Sequence, residues 1–130
     1  MDDRFKRQGM FSWHELMTDD VEGAKKFYTE LLGWTVQEFP MEEGETYWVL
    51  KVGEEGVGGI MKTPPSAEGV PPHWGVYITV DDVDATAKKA EQLGAKLLVP
   101  PMGIPKVGRF AVLQDPRGAA FAVIAYTIEM

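Results

Sequence analysis

The sequence lacks cysteine, has only two histidines and contains no long apolar run. Without cysteine, disulfides, thiolate metal sites and a cysteine nucleophile are excluded. No stretch approaches the roughly 20 apolar residues of a membrane-spanning helix, and the first ten residues lack the apolar core of a signal peptide. We therefore expect a cytoplasmic protein that has no membrane partner.

Basic residues are also scarce, since 13 Lys and Arg stand against 20 Asp and Glu, and the formal net charge is −7. No run of Lys or Arg forms a basic patch that would attract a nucleic-acid backbone. We therefore expect no nucleic-acid partner. The 130 residues suffice for one domain with a proper core but are too few for two separate domains.

What the sequence does contain is an internal repeat. The segment "MTDDVEGAKKFYTELLGW" in the first half resembles "TVDDVDATAKKAEQLGAK" in the second, and in each an Asp-Asp-Val opens an amphipathic stretch that is followed by glycine. Helical spacing of apolar residues predicts one buried face for each helix. The positions on these faces are Val21, Ala24, Phe27, Leu31 and Leu32 in the first helix and Val83, Ala87, Ala90 and Leu93 in the second.

Acidic residues and glycines mark the ends of the two predicted helices. Asp19 and Asp81 are predicted to be the N-caps, with Glu22 and Asp84 three residues later near the positive end of the helix dipole. The predicted C-terminal stops are Gly33 and Gly94. We interpret the acidic pairs as helix caps, and paired catalytic carboxylates are the alternative.

Short extended stretches with strand-like composition surround each helix. They are residues 10–17, 34–39, 46–52 and 57–62 in the first half and residues 74–80, 96–99, 109–114 and 119–126 in the second. Each half is thus predicted to be a βαβββ module, over about 9–62 and 73–127, with the Pro-rich segment 63–72 as linker. One helix cannot cover both faces of a four-stranded sheet, so we expect the two modules to pair.

The repeated plan, together with "FYTELLGW" at the end of the first helix and "DPRGAAF" before the last strand, resembles the vicinal oxygen chelate superfamily. That superfamily includes glyoxalases, bleomycin-resistance proteins and extradiol dioxygenases, and the resemblance covers residues 9–126. It implies an α+β fold in which two βαβββ modules pair into a curved, cup-like mixed sheet with the helices on the outside. The resemblance is also compatible with a homodimer, and whether the modules pair within one chain or between chains stays open.

The resemblance places metal ligands on the first and last strand of each module. Counting from the motifs of this sequence gives the four corresponding positions, which are Trp13, Ile60, Gly75 and Ala122. None of these side chains can ligate a metal. We therefore expect no metal site of the usual kind and no cofactor.

Strand alternation assigns roles to the neighbours of Trp13, because successive side chains point to opposite faces. His14 is expected on the helix-covered side or at a strand edge, and only a β-bulge would turn it into the cup. Glu15 shares the face of Trp13, and an inward carboxylate in a partly apolar cavity is a candidate for a functional site. The alternatives are that Glu15 is solvated at an open rim or forms a structural ion pair with Arg109.

The candidate ligand-binding residues lie on, or beside, the strand faces that this count turns inward. They are Trp13, Glu15, Tyr47, Gly75, Tyr77, Arg109 and Ala122. Loop lengths leave the facing of Tyr47 and Arg109 open. The Pro- and Gly-rich segment 100–109 is expected to connect two strands and to have some character of a lid.

These features favour a metal-independent small-molecule binder that uses the cup between the modules, similar to the bleomycin-resistance proteins. The acidic balance suits a cationic ligand. The alternative is a metal-dependent lyase, isomerase or dioxygenase with a displaced site, in which Glu15 and His73 would hold a divalent metal. A third hypothesis is proton transfer by Glu15 with a tyrosine as donor. The sequence leaves open which ligand is bound and whether a reaction is catalysed.

Overall fold

The computed structural model describes residues 3–41, 46–64 and 69–127. Its compact units are residues 13–75 (the first unit) and the described residues of 1–12 and 76–130 (the second unit). The predicted α+β class and the repeated βαβββ order are confirmed. Among the described residues, no helix is long and apolar enough to cross a membrane. Residues 65–68 of the predicted linker lie outside the described residues.

The first repeat has five elements. They are β1 (Phe11–Thr18), α1 (Val21–Leu32), β2 (Thr35–Pro40), β3 (Thr46–Val52) and β4 (Glu55–Lys62). The strands lie in the order β2-β3-β4-β1, and β4 is parallel to β1 but antiparallel to β3. Helix α1 covers one sheet face, on which Leu16, Leu50 and Ile60 form the core. The opposite face carries several of the predicted ligand-binding side chains.

The apolar positions of α1 divide between two faces of the helix, so part of the predicted buried face is wrong. Val21 and Ala24 pack against the core as predicted. Phe27 and Leu31, in contrast, are 57% and 62% exposed, and Tyr28 packs on the core instead. Neighbouring helical residues point about 100° apart, so a stripe through Phe27 and a stripe through Tyr28 face in different directions.

The N-cap of each helix is the second Asp of its Asp-Asp pair, not the first as predicted. The Asp20 carboxylate accepts a hydrogen bond from the Gly23 N–H at 2.9 Å, because the helix begins at the next residue and the cap directly precedes it. The prediction of Asp19 was one residue early. In α2 the cap is likewise Asp82 in place of Asp81. The predicted stop at Gly33 is confirmed, since its φ is 73° and its N–H closes the last turn.

The second unit contains the other five elements of the repeat and a 3-10 turn. They are β5 (His73–Thr79), which begins in the first unit, α2 (Val83–Gln92), β6 (Lys96–Ile104), β7 (Gly108–Gln114), β8 (Ala120–Tyr126) and the turn Asp3–Phe5. The strand order is β5-β8-β7-β6, with β5 parallel to β8. Helix α2 covers a core formed by Val83, Ala87, Ala111, Leu113 and Val123 with Val80.

Strand β6 is longer than the predicted 96–99 and takes up half of the segment predicted to connect strands. It pairs with β7 as far as Ile104, with register shifts on either side of Val99. Pro100 and Pro101 lie within the second shift, and proline is tolerated there because β6 has a partner on one side only in this unit. Segment 100–109 is therefore mostly one end of a β-hairpin.

The first residues of the chain pack onto the second unit, which the sequence did not indicate. Phe5 is 6% exposed, and its ring meets the Tyr126 ring edge-on at 5.0 Å. The Gly9 N–H donates to the Thr79 carbonyl at 2.8 Å, and the Thr79 N–H donates to Met10. Residues far apart in the sequence thus share one core.

Candidate functional site

Three of the predicted side chains are joined by hydrogen bonds within the first unit. The Tyr47 hydroxyl donates to Glu15 Oε1 at 3.0 Å and accepts from Trp13 Nε1 at 2.8 Å. Glu15 is only 7% exposed, and a polar group buried to this extent is costly unless hydrogen bonds satisfy it. The alternative that Glu15 is solvated at an open rim is therefore wrong.

Strand β1 directs Trp13 and Glu15 to the sheet face opposite α1. Leu16 lies in the core beneath α1, so Glu15 and Trp13 point the other way by strand alternation. The pairing of β1 with β4 runs without a register shift from His14 to Thr18, and no bulge turns His14 onto the face of Glu15. His14 shares the strand alternation of Leu16 and so points to the side of α1, as expected, where its side chain is exposed.

Two glycines of β4 make room for the aromatic side chains on this face. Gly59 stands in register with Glu15, and a Cβ atom there would overlap the hydroxyl and ring of Tyr47. A Cβ atom at Gly56 would lie 3.3 Å from the Trp13 ring. Sequence reasoning missed both glycines, although glycine inside a strand often marks a close approach of another group.

Ile60 does not lie on this face, contrary to the prediction from the motif spacing. It is fully buried in the core beneath α1. The pairing of β3 with β4 shifts between Leu50 and Lys51, whose partners are Gly58 and Gly56. Residue Val57 is thus an extra, bulged residue, and a bulge reverses the faces of all later side chains.

The face of β5 and β8 opposite α2 brings together two further candidates in the second unit. Tyr77 and Ala122 are cross-strand partners, while the neighbouring Val123 lies in the core beneath α2. The Tyr77 ring lies 6.4 Å from that of Phe110. Gly75 belongs to the first unit, where a Cβ atom would lie 3.9 Å from the Glu15 carbonyl oxygen. Binding of a ligand by these residues stays a prediction.

Arg109 is the candidate that the structure places elsewhere. It shares the alternation of the core residue Ala111, so it points to the side of α2, where its Nε and Nη2 donate to the Asp84 carboxylate at 2.7 and 2.8 Å. The hydrogen bond from Arg109 holds the pKa of Asp84 below its usual range. Arg109 therefore lies off the face that carries Tyr77 and Ala122, contrary to its prediction as a ligand-binding residue, and its ion-pair partner is Asp84 and not Glu15.

A second buried polar pair lies in the second unit and was missed. Tyr126 Oη and Ser12 Oγ are 2.9 Å apart, and Ser12 is 1% exposed. Burial raises the pKa of the Tyr126 phenol, and the hydrogen bond with Ser12 opposes this as a smaller effect. Tyr126 shares the strand alternation of Ala122, and its partner Ser12 lies 114 residues away in the sequence.

The described part of the chain does not bring together enough ligand side chains to hold a divalent metal. Within residues 3–41, 46–64 and 69–127, no group of three His, Asp or Glu could hold a metal ion. His73 is exposed, and its Nδ1 lies 3.0 Å from the Pro71 carbonyl. The positions Trp13, Gly75 and Ala122 offer no ligand atoms. These residues do not fit the metal that the family resemblance implies.

Comparison with known families gives one match over nearly the whole chain. The model of the Glyoxalase/Bleomycin resistance protein/Dioxygenase superfamily matches residues 10–123. In Mycobacterium tuberculosis the protein named "Putative glyoxylase CFP32" is 47% identical over 116 residues, which are 89% of this chain and 44% of that protein. The Streptomyces peucetius "Anthracycline biosynthesis protein DnrV" is 35% identical, over 88% of this chain and 46% of its own. The chain thus spans less than half the length of these relatives.

A solved structure confirms the fold. A variant of the Streptomyces coelicolor methylmalonyl-CoA epimerase, in complex with 2-nitronate-propionyl-CoA, has a TM-score of 0.65 and 18% identity and covers 93% of this chain and 99% of its own. At this identity the likeness supports the fold and not a shared reaction.

Proposed function

Since the chain belongs to the Glyoxalase/Bleomycin resistance protein/Dioxygenase superfamily, we propose that it binds a small molecule without a metal, through the sheet face that carries Glu15. The observation that carries this proposal is the buried Glu15 carboxylate, which accepts from a Tyr47 hydroxyl that Trp13 orients in turn. Such bonds fix the binding groups before the ligand arrives and so reduce the entropy lost on binding.

The ligand that this face suits is a planar aromatic molecule with a protonated amine. A buried carboxylate makes strong, charge-assisted hydrogen bonds to a cation, and the net charge of −7 favours the approach of one. The indole of Trp13 and the phenol of Tyr47 offer flat apolar surface beside it. The relative named as an anthracycline biosynthesis protein supports a polycyclic aromatic ligand. Gly75, Tyr77 and Ala122 remain candidate contacts.

An anthracycline that carries its amino sugar, compared with the neutral aglycone, tests the proposal. Titration of the fluorescent ligand with wild-type protein is expected to show saturable binding of the aminated compound. In Glu15→Gln the affinity for that compound should fall about 10- to 100-fold, as for the loss of one charged hydrogen-bond partner. The aglycone should lose much less.

The matched control is Glu91→Gln, which removes an exposed carboxylate from α2 and should leave both affinities unchanged. If wild-type protein shows no saturable response to either compound, or if Glu15→Gln weakens both equally, the cationic aromatic ligand is excluded. Tyr47→Phe tests the positioning of the Glu15 carboxylate separately from its charge, because it keeps the carboxylate but removes the hydroxyl that holds it.

Metal independence is tested on protein purified without chelators. We expect substoichiometric metal by elemental analysis, and no change in anthracycline affinity when Mn²⁺, Fe²⁺, Ni²⁺ or Zn²⁺ is added. A stoichiometric metal that is lost in both Glu15→Gln and His73→Ala would contradict this proposal and support the displaced metal site instead.

Proton transfer is a second candidate function, favoured by the 3.0 Å separation between the Tyr47 hydroxyl and Glu15. A carboxylate and a phenol at this distance can act as base and acid on a carbon acid. Deuterium uptake next to a ketone or thioester carbonyl, followed by NMR in D2O, should occur with wild-type protein and stop in Glu15→Gln. Equal uptake in both proteins would exclude the reaction.

A further inference from the structure

Two methionines lie side by side on the same sheet face as Glu15. Met17 and Met61 are cross-strand partners on β1 and β4. The preceding pair, Leu16 and Ile60, lies in the core beneath α1, so both thioethers point to the opposite face by strand alternation. Met17 follows Glu15 by two residues, which is about 7 Å along the strand.

The two methionines do not pack in either core of the described residues. Both are partly exposed, and neither belongs to the apolar cluster beneath α1 or to the one beneath α2. Methionine is flexible and polarisable, so it adapts to irregular apolar partners and makes favourable contacts with aromatic rings. Two partly exposed thioethers beside a buried carboxylate therefore suit a ligand that carries both an aromatic ring and a cation.

The apolar surface continues from the methionines across all four strands of the first repeat. Trp48 pairs with Ile60 and both lie on the side of α1, so the adjoining Tyr47 lies on the face of Met61. Phe39 is the partner of Tyr47 on β2 and is 36% exposed. The resulting apolar row contains one residue from each of the four neighbouring strands, namely Met17, Met61, Tyr47 and Phe39.

The length of the apolar row determines the shape of ligand that it fits. Neighbouring strands are about 4.8 Å apart, so the three spacings between four strands give a row about 14 Å long. A single ring would cover only part of this length, whereas several fused rings would contact all four strands. Glu15 lies at the β1 end of the row, and the Tyr47 hydroxyl donates to it at 3.0 Å. The cationic group would therefore extend from one end of the ring system.

We propose that the apolar row is the subsite for the ring system of the ligand, in which Met17 and Met61 determine the affinity for elongated, fused aromatic rings. The inference rests on the proposed function, because Glu15 holds the cationic group of the same molecule. The two contributions belong to different residues, since Glu15 selects for charge and the methionines select for ring area.

Fluorescence titration of the aminated anthracycline and of its neutral aglycone tests this division. In the double variant Met17→Ser/Met61→Ser the affinities for both compounds should fall by the same factor, about 10- to 100-fold, because both compounds lose the same apolar contact. Glu15→Gln, in contrast, should weaken binding of the aminated compound much more than binding of the aglycone.

Two controls separate loss of apolar contact from general effects of substitution. Met17→Leu/Met61→Leu keeps apolar side chains of similar volume, and its affinities should stay within about threefold of wild type. Met10→Ser removes an exposed methionine (38%) outside the row and should leave both affinities unchanged.

NMR of isotope-labelled methionine methyl groups locates the rings directly in the wild-type protein. As the aminated compound saturates the protein, the methyl resonances of Met17 and Met61 should move upfield, because a methyl group over the face of an aromatic ring is shielded by its ring current. The resonance of Met10 should not move. The single methionine-to-leucine variants assign the three signals.

The outcomes distinguish the ring subsite from the proposed function. If binding of the aminated compound depends on Glu15 but the Met17 and Met61 resonances stay in place, the apolar row is not the ring subsite, while the proposed function stands. Normal affinity of a folded Met17→Ser/Met61→Ser variant would overturn the row in the same way. Absence of saturable binding to wild-type protein would exclude both. The methyl shifts decide the question even when the double serine variant does not fold, since they are measured without it.

Discussion

The hydrogen bond from Tyr47 to Glu15 depends on the absence of a side chain at position 59. Gly59 stands in register with Glu15 on the neighbouring strand, and the phenol ring of Tyr47 lies where a Cβ atom of residue 59 would be. The glycine therefore positions the hydroxyl that holds the carboxylate.

Gly59→Ala is expected to lower the free energy of unfolding by about 2 kcal/mol, because the new methyl group must displace the Tyr47 ring and break its hydrogen bonds. Chemical denaturation measures this loss. In a Tyr47→Ala background the same substitution should cost much less, since the overlapping ring is gone.

The control for this prediction is Gly103→Ala, where a Cβ atom would have no neighbour within 4 Å. Its effect should be within about 0.5 kcal/mol. Equal costs of Gly59→Ala with and without the Tyr47 ring would mean that the glycine serves the backbone and not the tyrosine.

Tyr126 is expected to make the stability of the folded protein depend on pH under alkaline conditions. Burial raises the pKa of its phenol above the ordinary value of 10.0, so the folded state keeps the proton longer than the unfolded state does. The stabilisation is fully present below about pH 10 and is lost as the pH rises through the folded pKa. In thermal unfolding between pH 8 and 11, approximately, the advantage of wild-type protein over Tyr126→Phe should shrink with rising pH. A constant difference would contradict the raised pKa.

At the scale of elements, local composition predicted the presence of strands and helices better than the faces they present. The Asp-Asp-Val repeat and the apolar spacing sufficed for both helices, because capping and periodicity act within a few residues. The bulge at Val57 could not be counted in advance, since it arises from the pairing of β4 with β3. That single residue turns Ile60 into the core and leaves Gly59 beside Glu15.

The identity of the α1 cap is testable because the chain offers two adjacent aspartates. Asp20→Ala removes the carboxylate that accepts from the Gly23 N–H and should lower the free energy of unfolding by about 1 kcal/mol. Asp19→Ala, in an exposed position without this bond, should change it by less than about 0.5 kcal/mol. Urea denaturation of both variants decides between them, and a larger loss in Asp19→Ala would contradict the cap.

At the scale of the whole molecule, the sequence predicted the repeat but not the role of the first residues. The two βαβββ modules were predicted from the internal similarity of the sequence. The shared sheet face of Trp13 and Glu15 was predicted from strand alternation. The start of the chain has mixed charges and no periodicity, and its position depends on contacts with Thr79 and Tyr126, which lie far away in the sequence. Contacts of this range leave no local pattern to detect.

The N-terminal segment is therefore expected to contribute to the stability of the second unit. Phe5 is 6% exposed and packs edge-on against Tyr126, so Phe5→Ala should lower the free energy of unfolding by about 3 kcal/mol through lost burial and a cavity. Phe11→Ala is the matched control, because that ring is 58% exposed, and its cost should stay within about 0.5 kcal/mol. Denaturation followed by tyrosine and tryptophan fluorescence measures both. Equal, small effects of the two substitutions would show that residues 3–12 are dispensable for the second unit, whereas a large loss confined to Phe5→Ala would establish that the beginning of the chain completes its core.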